Sequence, residues 1–120
     1  MEIEWLKFLI SKNMVLHNNK PVKISALDLT HLDQIHASFS TQNTLRVKEI
    51  EKTTNHDVKA VEYFIKELLE KIPVLAPVKE YVHFCCTSED INNLAYSLLL
   101  SDAKSKSLIP SLTKLTAKLQ

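Results

Sequence analysis

Apolar residues recur along this chain at steps of three and four, the period of helices with one buried face. Ile3, Leu6, Ile10 and Met14 mark a first helix over residues 1–16, and Trp5, Phe8 and Leu9 widen its apolar stripe. No capping residue precedes the stripe, so the pattern places the start of that helix upstream of Met1. His17-Asn18-Asn19-Lys20-Pro21 breaks it, because proline has no amide donor and a fixed φ. A second short helix follows Ser25 on Leu29, Leu32, Ile35, His36 and Phe39, and Ser40-Thr41-Gln42-Asn43 is expected to end it. Leu45, Val47, Lys48 and Ile50 set a third over residues 44–52.

The fourth stripe is the clearest. Val58, Val61, Ile65, Leu68 and Ile72 step without interruption, flanked by Phe64 and Leu69. Thr54 stands three residues before Asp57, a capping-box spacing that predicts the helix start. Lys66 and Lys71 lie towards the other end, where the helix dipole favours cations, and Pro73 and Pro77 stop it. Tyr81-Val82-His83-Phe84-Cys85-Cys86 reads as a short extended segment. Thr87 and Asp90 then repeat the capping spacing ahead of a fifth helix on Ile91, Leu94, Leu98 and Leu99. A last stripe, Leu108, Leu112, Leu115 and Leu119, is expected to continue past Gln120.

Composition sharpens this into an all-α expectation. The 120 residues contain no glycine, where average usage supplies roughly eight. Hairpin turns, bulges and phosphate-cradling loops rely on glycine, so a β-rich domain, a P-loop or a dinucleotide fold is disfavoured. With 45% apolar residues the chain can build a core, and its length fits one domain or a piece of one. A net charge of +1 offers no basic face for nucleic acid. The first residues lack a signal-peptide pattern, and no apolar run approaches the ~20 residues that span a bilayer. A cytoplasmic protein without a membrane partner is the expectation.

Chemistry concentrates in two polar segments. In Thr53-Thr54-Asn55-His56-Asp57, four residues are good caps where one is sufficient, and a histidine adds a proton-transfer or anion-binding group. In Thr87-Ser88-Glu89-Asp90-Ile91-Asn92-Asn93, two hydroxyls stand where the free amides of a helix start can hold a carboxylate or phosphate. Glu89 and Asp90 oppose an anion there unless they turn away or pair. Each segment alone also reads as plain helix capping. His17, His31, His36 and His83 show no metal spacing, and Cys85 and Cys86 are adjacent rather than two apart, so neither a metal nor a cofactor is expected. The two cysteines read as small buried residues, and Trp5, Tyr63 and Phe64 as core.

Taken together, Thr53-Thr54-Asn55-His56-Asp57-Val58-Lys59-Ala60-Val61-Glu62-Tyr63-Phe64 and His83-Phe84-Cys85-Cys86-Thr87-Ser88-Glu89-Asp90-Ile91-Asn92-Asn93-Leu94 resemble the bacterial branch of the adenylosuccinate lyase family, within the fumarase/aspartase superfamily. The resemblance implies the helical amino-terminal domain of that fold over residues 1–107 and the start of its central helical bundle over residues 108–120. It further implies a homotetrameric enzyme that releases fumarate by β-elimination from succinylated purine nucleotides, adenylosuccinate and the succinylated aminoimidazole carboxamide ribotide. Asn55, His56 and Asp57 would line the substrate site, and Thr87 and Ser88 would hold a succinyl carboxylate. The family's Arg-Tyr contact falls upstream of Met1, and its general-acid histidine and general-base serine fall downstream of Gln120, so no catalytic residue is expected here. A free-standing helical interaction module and a sibling such as argininosuccinate lyase are the competing expectations. The Asn-His-Asp-Val-Lys-Ala-Val-Glu run at residues 55–62 looks like the adenylosuccinate branch.

Overall fold

Reciprocal caps start several of the helices in this chain. Ser25 donates its amide to Asp28 Oδ2 (2.8 Å), and the Asp28 amide returns to Ser25 Oγ (3.2 Å), opening helix α2 over Ala26–Ala37. Ser40 and Asn43 repeat the exchange at 2.8 and 3.4 Å and open α3 over Thr41–Thr54. Ser40-Thr41-Gln42-Asn43 therefore begins a helix rather than merely ending one. The same polar residues suit either role in sequence, and the reciprocal bonding decides between them. In this computed structural model, which describes residues 1–119, α1 spans Glu2–Ser11, α4 Asp57–Leu69, α5 Ser88–Ala103 and α6 Ile109–Leu119.

Among the described residues the fold is all-α apart from one small hairpin, β1 (Leu16–His17) against β2 (Lys20–Pro21), with Leu16 opposite Pro21. The lack of glycine does not prevent this turn. Asn18 and Asn19 take φ of 51° and 60°, the left-handed pair that a type I′ turn requires and that asparagine tolerates. Helix α1 is shorter than its stripe suggests. Asn13 turns left-handed (φ 55°) just past its end, so Met14 faces solvent and Val15 is buried in its place.

The core gathers Leu6 and Leu9 of α1, Leu32 of α2, Ile65 and Leu69 of α4, and Leu75, Val78 and Val82 from the segment beyond. That segment corrects a second expectation. Ala76–Tyr81 is a 3-10 helix, and turns rather than a strand continue through Cys85. Leu75, Val78 and Val82 are buried at steps of three and four while Glu80, midway between the valines, is exposed, a helical pattern that an extended chain does not produce. Cys85 is exposed and Cys86 half-buried, against the expectation that both would be covered. Phe64 is buried and Trp5 packs on the core, but Tyr63 is 44% exposed beneath the Lys59 and Lys66 ammonium groups.

Helix α4 also begins later than expected. Thr54 closes α3, and His56 is the residue that caps α4; Lys71 lies beyond its end. Buried Glu62 sits between Lys59 (2.6 Å) and Lys66 (2.8 Å), and Lys66 extends to Glu80 (2.6 Å). Burial alone would push the Glu62 carboxyl up, yet the hydrogen bonds from both lysines outweigh it and hold the group below the usual carboxylate range. Arg46 of α3 grips Glu67 of α4 through two nitrogens, at 3.0 and 2.6 Å, fixing how the two helices meet.

From Ser88 to Leu119 the chain is one helical rod. Its middle turn, Lys104–Leu108, widens to π geometry, with the Ile109 amide bonded to the Lys104 carbonyl. Pro110 follows at once, and its ring would crowd the carbonyl four residues back in a regular α-helix. The carboxyl half of the rod buries nothing: Leu108, Leu112, Leu115 and Leu119 are all exposed. The radius of gyration, 18.4 Å, exceeds the roughly 14 Å expected of a compact chain this long, because the rod projects from the packed end.

Candidate functional site

Two helix starts face each other at the base of the rod. The first is built by Asn55, which adopts φ 50° and ψ 31° after α3 and returns its amide to the Glu51 carbonyl at 2.8 Å. This left-handed step reverses the chain, and His56 follows in extended conformation (φ −151°) as the cap of α4. Thr54 Oγ1 braces the step by donating to the His56 carbonyl (3.1 Å). Asp57 accepts the Val58 amide at 2.7 Å and leaves 60% of its side chain exposed.

The second start is built by Thr87 (φ −101°, ψ 166°), whose amide donates to Asp90 Oδ2 at 2.8 Å. Asp90 is thereby committed to the helix end, which lessens its opposition to an incoming anion. The two starts meet at one contact. His56 Nε2 lies 3.1 Å from Ser88 Oγ, across 32 positions of sequence.

The hydrogen-bond pattern around His56 assigns its tautomer. Nδ1 accepts the Lys59 amide at 3.3 Å, so in the neutral ring the proton sits on Nε2 and is donated to Ser88 Oγ. The serine's own hydrogen is then free to be donated outward. A hydroxyl primed this way, beside the free amides at the start of α5, can receive a carboxylate oxygen.

Of the five residues singled out by sequence, His56 and Ser88 touch directly, and Thr87 adjoins Ser88 at the start of α5. Asn55 and Asp57 flank His56, and among the described residues neither bonds to the Thr87–Ser88 side. Asp57 instead borders an apolar cavity of about 620 Å³ that also touches Val58, Val61, Ile91 and Asn92. Sequence reasoning missed Glu2, which is 3% exposed with Oε1 2.7 Å from His83 Nδ1. The available signal was an acid at helical spacing from Leu6 and Leu9, on a face that should be apolar throughout. Among the described residues no cluster of histidine, cysteine and carboxylate side chains is placed to hold a metal ion, and no helix is long and apolar enough to cross a membrane.

The sequence profile of a family described as lyase matches residues 2–120. The chain belongs to this lyase family. Its curated relatives include the adenylosuccinate lyase of Escherichia coli strain K12, 48% identical over 111 residues that make up 92% of this chain and 24% of that protein. That of Vibrio cholerae strain O395 is 45% identical over 93% of this chain and 24% of its own. The adenylosuccinate lyase of Buchnera aphidicola from Acyrthosiphon pisum is 42% identical over the whole chain, which makes up 26% of that relative. The lyase segment thus spans about a quarter of the length of the relatives it matches.

Asn55 in this lyase segment has a backbone duty that can be separated from any ligand duty. Asn55→Ala forces a Cβ-bearing residue without asparagine's tolerance into the left-handed step and should lower stability by about 1 kcal/mol. Asn55→Gly should keep stability within a few tenths of a kcal/mol of the parent. Denaturant melts of the two variants measure this, and equal midpoints would show that φ at Asn55 is not the constraint.

Proposed function

We propose that the segment supplies one corner of an adenylosuccinate lyase active site, in a protein that eliminates fumarate from adenylosuccinate to leave AMP, and likewise from succinylaminoimidazole carboxamide ribotide. The observation that carries this reading is the 3.1 Å contact between His56 and Ser88, which unites the two sequence motifs at facing helix starts. Elimination removes a weakly acidic proton from the carbon next to a carboxylate, forms the new double bond, and breaks the carbon–nitrogen bond as that nitrogen is protonated. Charge grows on the carboxylate during the first event, so fixed donors at its oxygens lower the barrier. Thr87 and Ser88, with the first amides of α5, are the donors for that carboxylate. Asn55, His56 and Asp57 line the substrate beside them.

The general acid and base come from elsewhere in the full-length protein. Residues 1–107 form its amino-terminal helical domain, and residues 108–120 begin a bundle helix that neighbouring copies pack against in a cytoplasmic homotetramer. The exposed leucines of the rod support this arrangement. The test is fumarate release by the full-length protein from adenylosuccinate and, separately, from argininosuccinate. Turnover of the first alone supports the reading; turnover of only the second overturns it.

A further inference from the structure

Helix α1 reaches across the molecule to the residues just ahead of the Thr87–Ser88 corner. Glu2 and Trp5, three apart on one face, grip successive residues of that approach. Glu2 Oε1 lies 2.7 Å from His83 Nδ1, and Trp5 Nε1 donates to the Phe84 carbonyl at 2.8 Å. Immediately beyond, Cys85 is held at φ 59°, a sparsely populated conformation for cysteine, and two residues later Thr87 caps α5. A strained linker this short transmits any displacement of residues 83 and 84 to the hydroxyls that follow.

The energetics of Glu2 point away from a purely stabilising role. Its Oε2 is buried with no hydrogen-bond partner, and an unsatisfied buried carboxylate oxygen opposes folding. Burial pushes the Glu2 carboxyl up, against the downward pull of His83. Burial likewise pushes up the Cys86 thiol, and the charges of Asp90 and Glu2 push it further.

We propose that Glu2 is a positioning residue: by clamping His83 from α1, it sets where Thr87 and Ser88 stand for a substrate carboxylate. This deepens the proposed function and rests on it for the identity of the ligand. The test uses the full-length protein with Glu2→Leu, Glu2→Gln and the core control Ile3→Ala. Glu2→Leu should raise KM for adenylosuccinate and the inhibition constant of succinate about tenfold, leave kcat within about threefold, and leave inhibition by AMP unchanged. Glu2→Gln keeps an acceptor for His83 without the buried charge, so it should restore most of the succinate affinity with a Tm at or above the parent's. Ile3→Ala should lower Tm and leave the succinate constant alone. Crystal structures of the parent and Glu2→Leu judge the clamp without reference to turnover. The Ser88–His56 contact should open in the variant. An intact contact, or succinate affinity that merely tracks Tm across the three variants, overturns the inference. Absence of turnover in the parent would instead count against the lyase reading, and the two crystal structures would still decide on the clamp.

Discussion

The isolated 120-residue chain should release no fumarate from adenylosuccinate above the uncatalysed rate. On the proposed reading, the groups that this segment brings to the site bind and orient, and the residues that take the proton off carbon and protonate the departing nitrogen come from elsewhere in the full-length protein. General acid and base catalysis each contribute about 10²–10⁴-fold, so a corner lacking both loses several orders of magnitude. The corner is also open to water. The side chains of His56 and Asp57 are 46% and 60% exposed, and donors in a wet, high-dielectric setting stabilise developing charge far less than donors in a closed site. Curated relatives are about four times as long, which leaves ample sequence to supply the missing parts. A coupled assay of fumarate release reads this directly. Saturable turnover by the purified chain would mean that a complete acid–base pair exists among these residues, and the assignment of roles would have to be rebuilt.

In the full-length protein, His56→Ala and Ser88→Ala should each cut kcat/KM at least about tenfold, the cost of one polar contact worth roughly 1.4 kcal/mol. The two variants should differ in stability. His56 is the cap of α4, and Thr54, at the end of α3, cannot stand in for it, so His56→Ala also forfeits about 1 kcal/mol of helix stabilisation. Ser88 is the first residue of α5, whose start Thr87 and Asp90 secure, and its loss should leave the melting temperature nearly unchanged. His56→Asn separates the two duties: asparagine caps a helix well, yet it is too short to offer the Nε2 proton to Ser88. Full stability with kinetics still reduced is the expected result for that variant. If His56→Asn restores both stability and turnover, His56 is a cap and nothing more.

The helices were legible because their apolar stripes are long, and the clearest stripe, Val58 to Ile72, forms α4 as far as Leu69, with Ile72 in the turn beyond. Their junctions were not, for a physical reason. Ser40, Thr54 and Asn43 have side chains that close one helix as readily as they open the next, and only the partner they find in space settles the matter. Tyr81–Cys86 carries strand-forming residue types, but the core takes Leu75, Val78 and Val82 at steps of three and four, and tertiary packing overrides local preference. The candidate site was visible as a surplus of polar residues at two helix starts. What sequence spacing does not contain is the approach of His56 to Ser88, or the reach of Glu2 to His83 over 81 positions.

Among the described residues of this glycine-free chain, four of the five left-handed ones are asparagine, at positions 13, 18, 19 and 55. The consequence lies in the denatured ensemble. A glycine at each turn would enlarge the set of conformations that folding must give up, by roughly 0.4–1 kcal/mol per position, a cost that its ease in the left-handed region largely offsets. Asparagine reaches the same backbone angles from a narrower starting set and retains a side chain that can bond locally. Part of the stability of these turns, including the one that delivers His56, therefore comes from freedom that the unfolded chain never had.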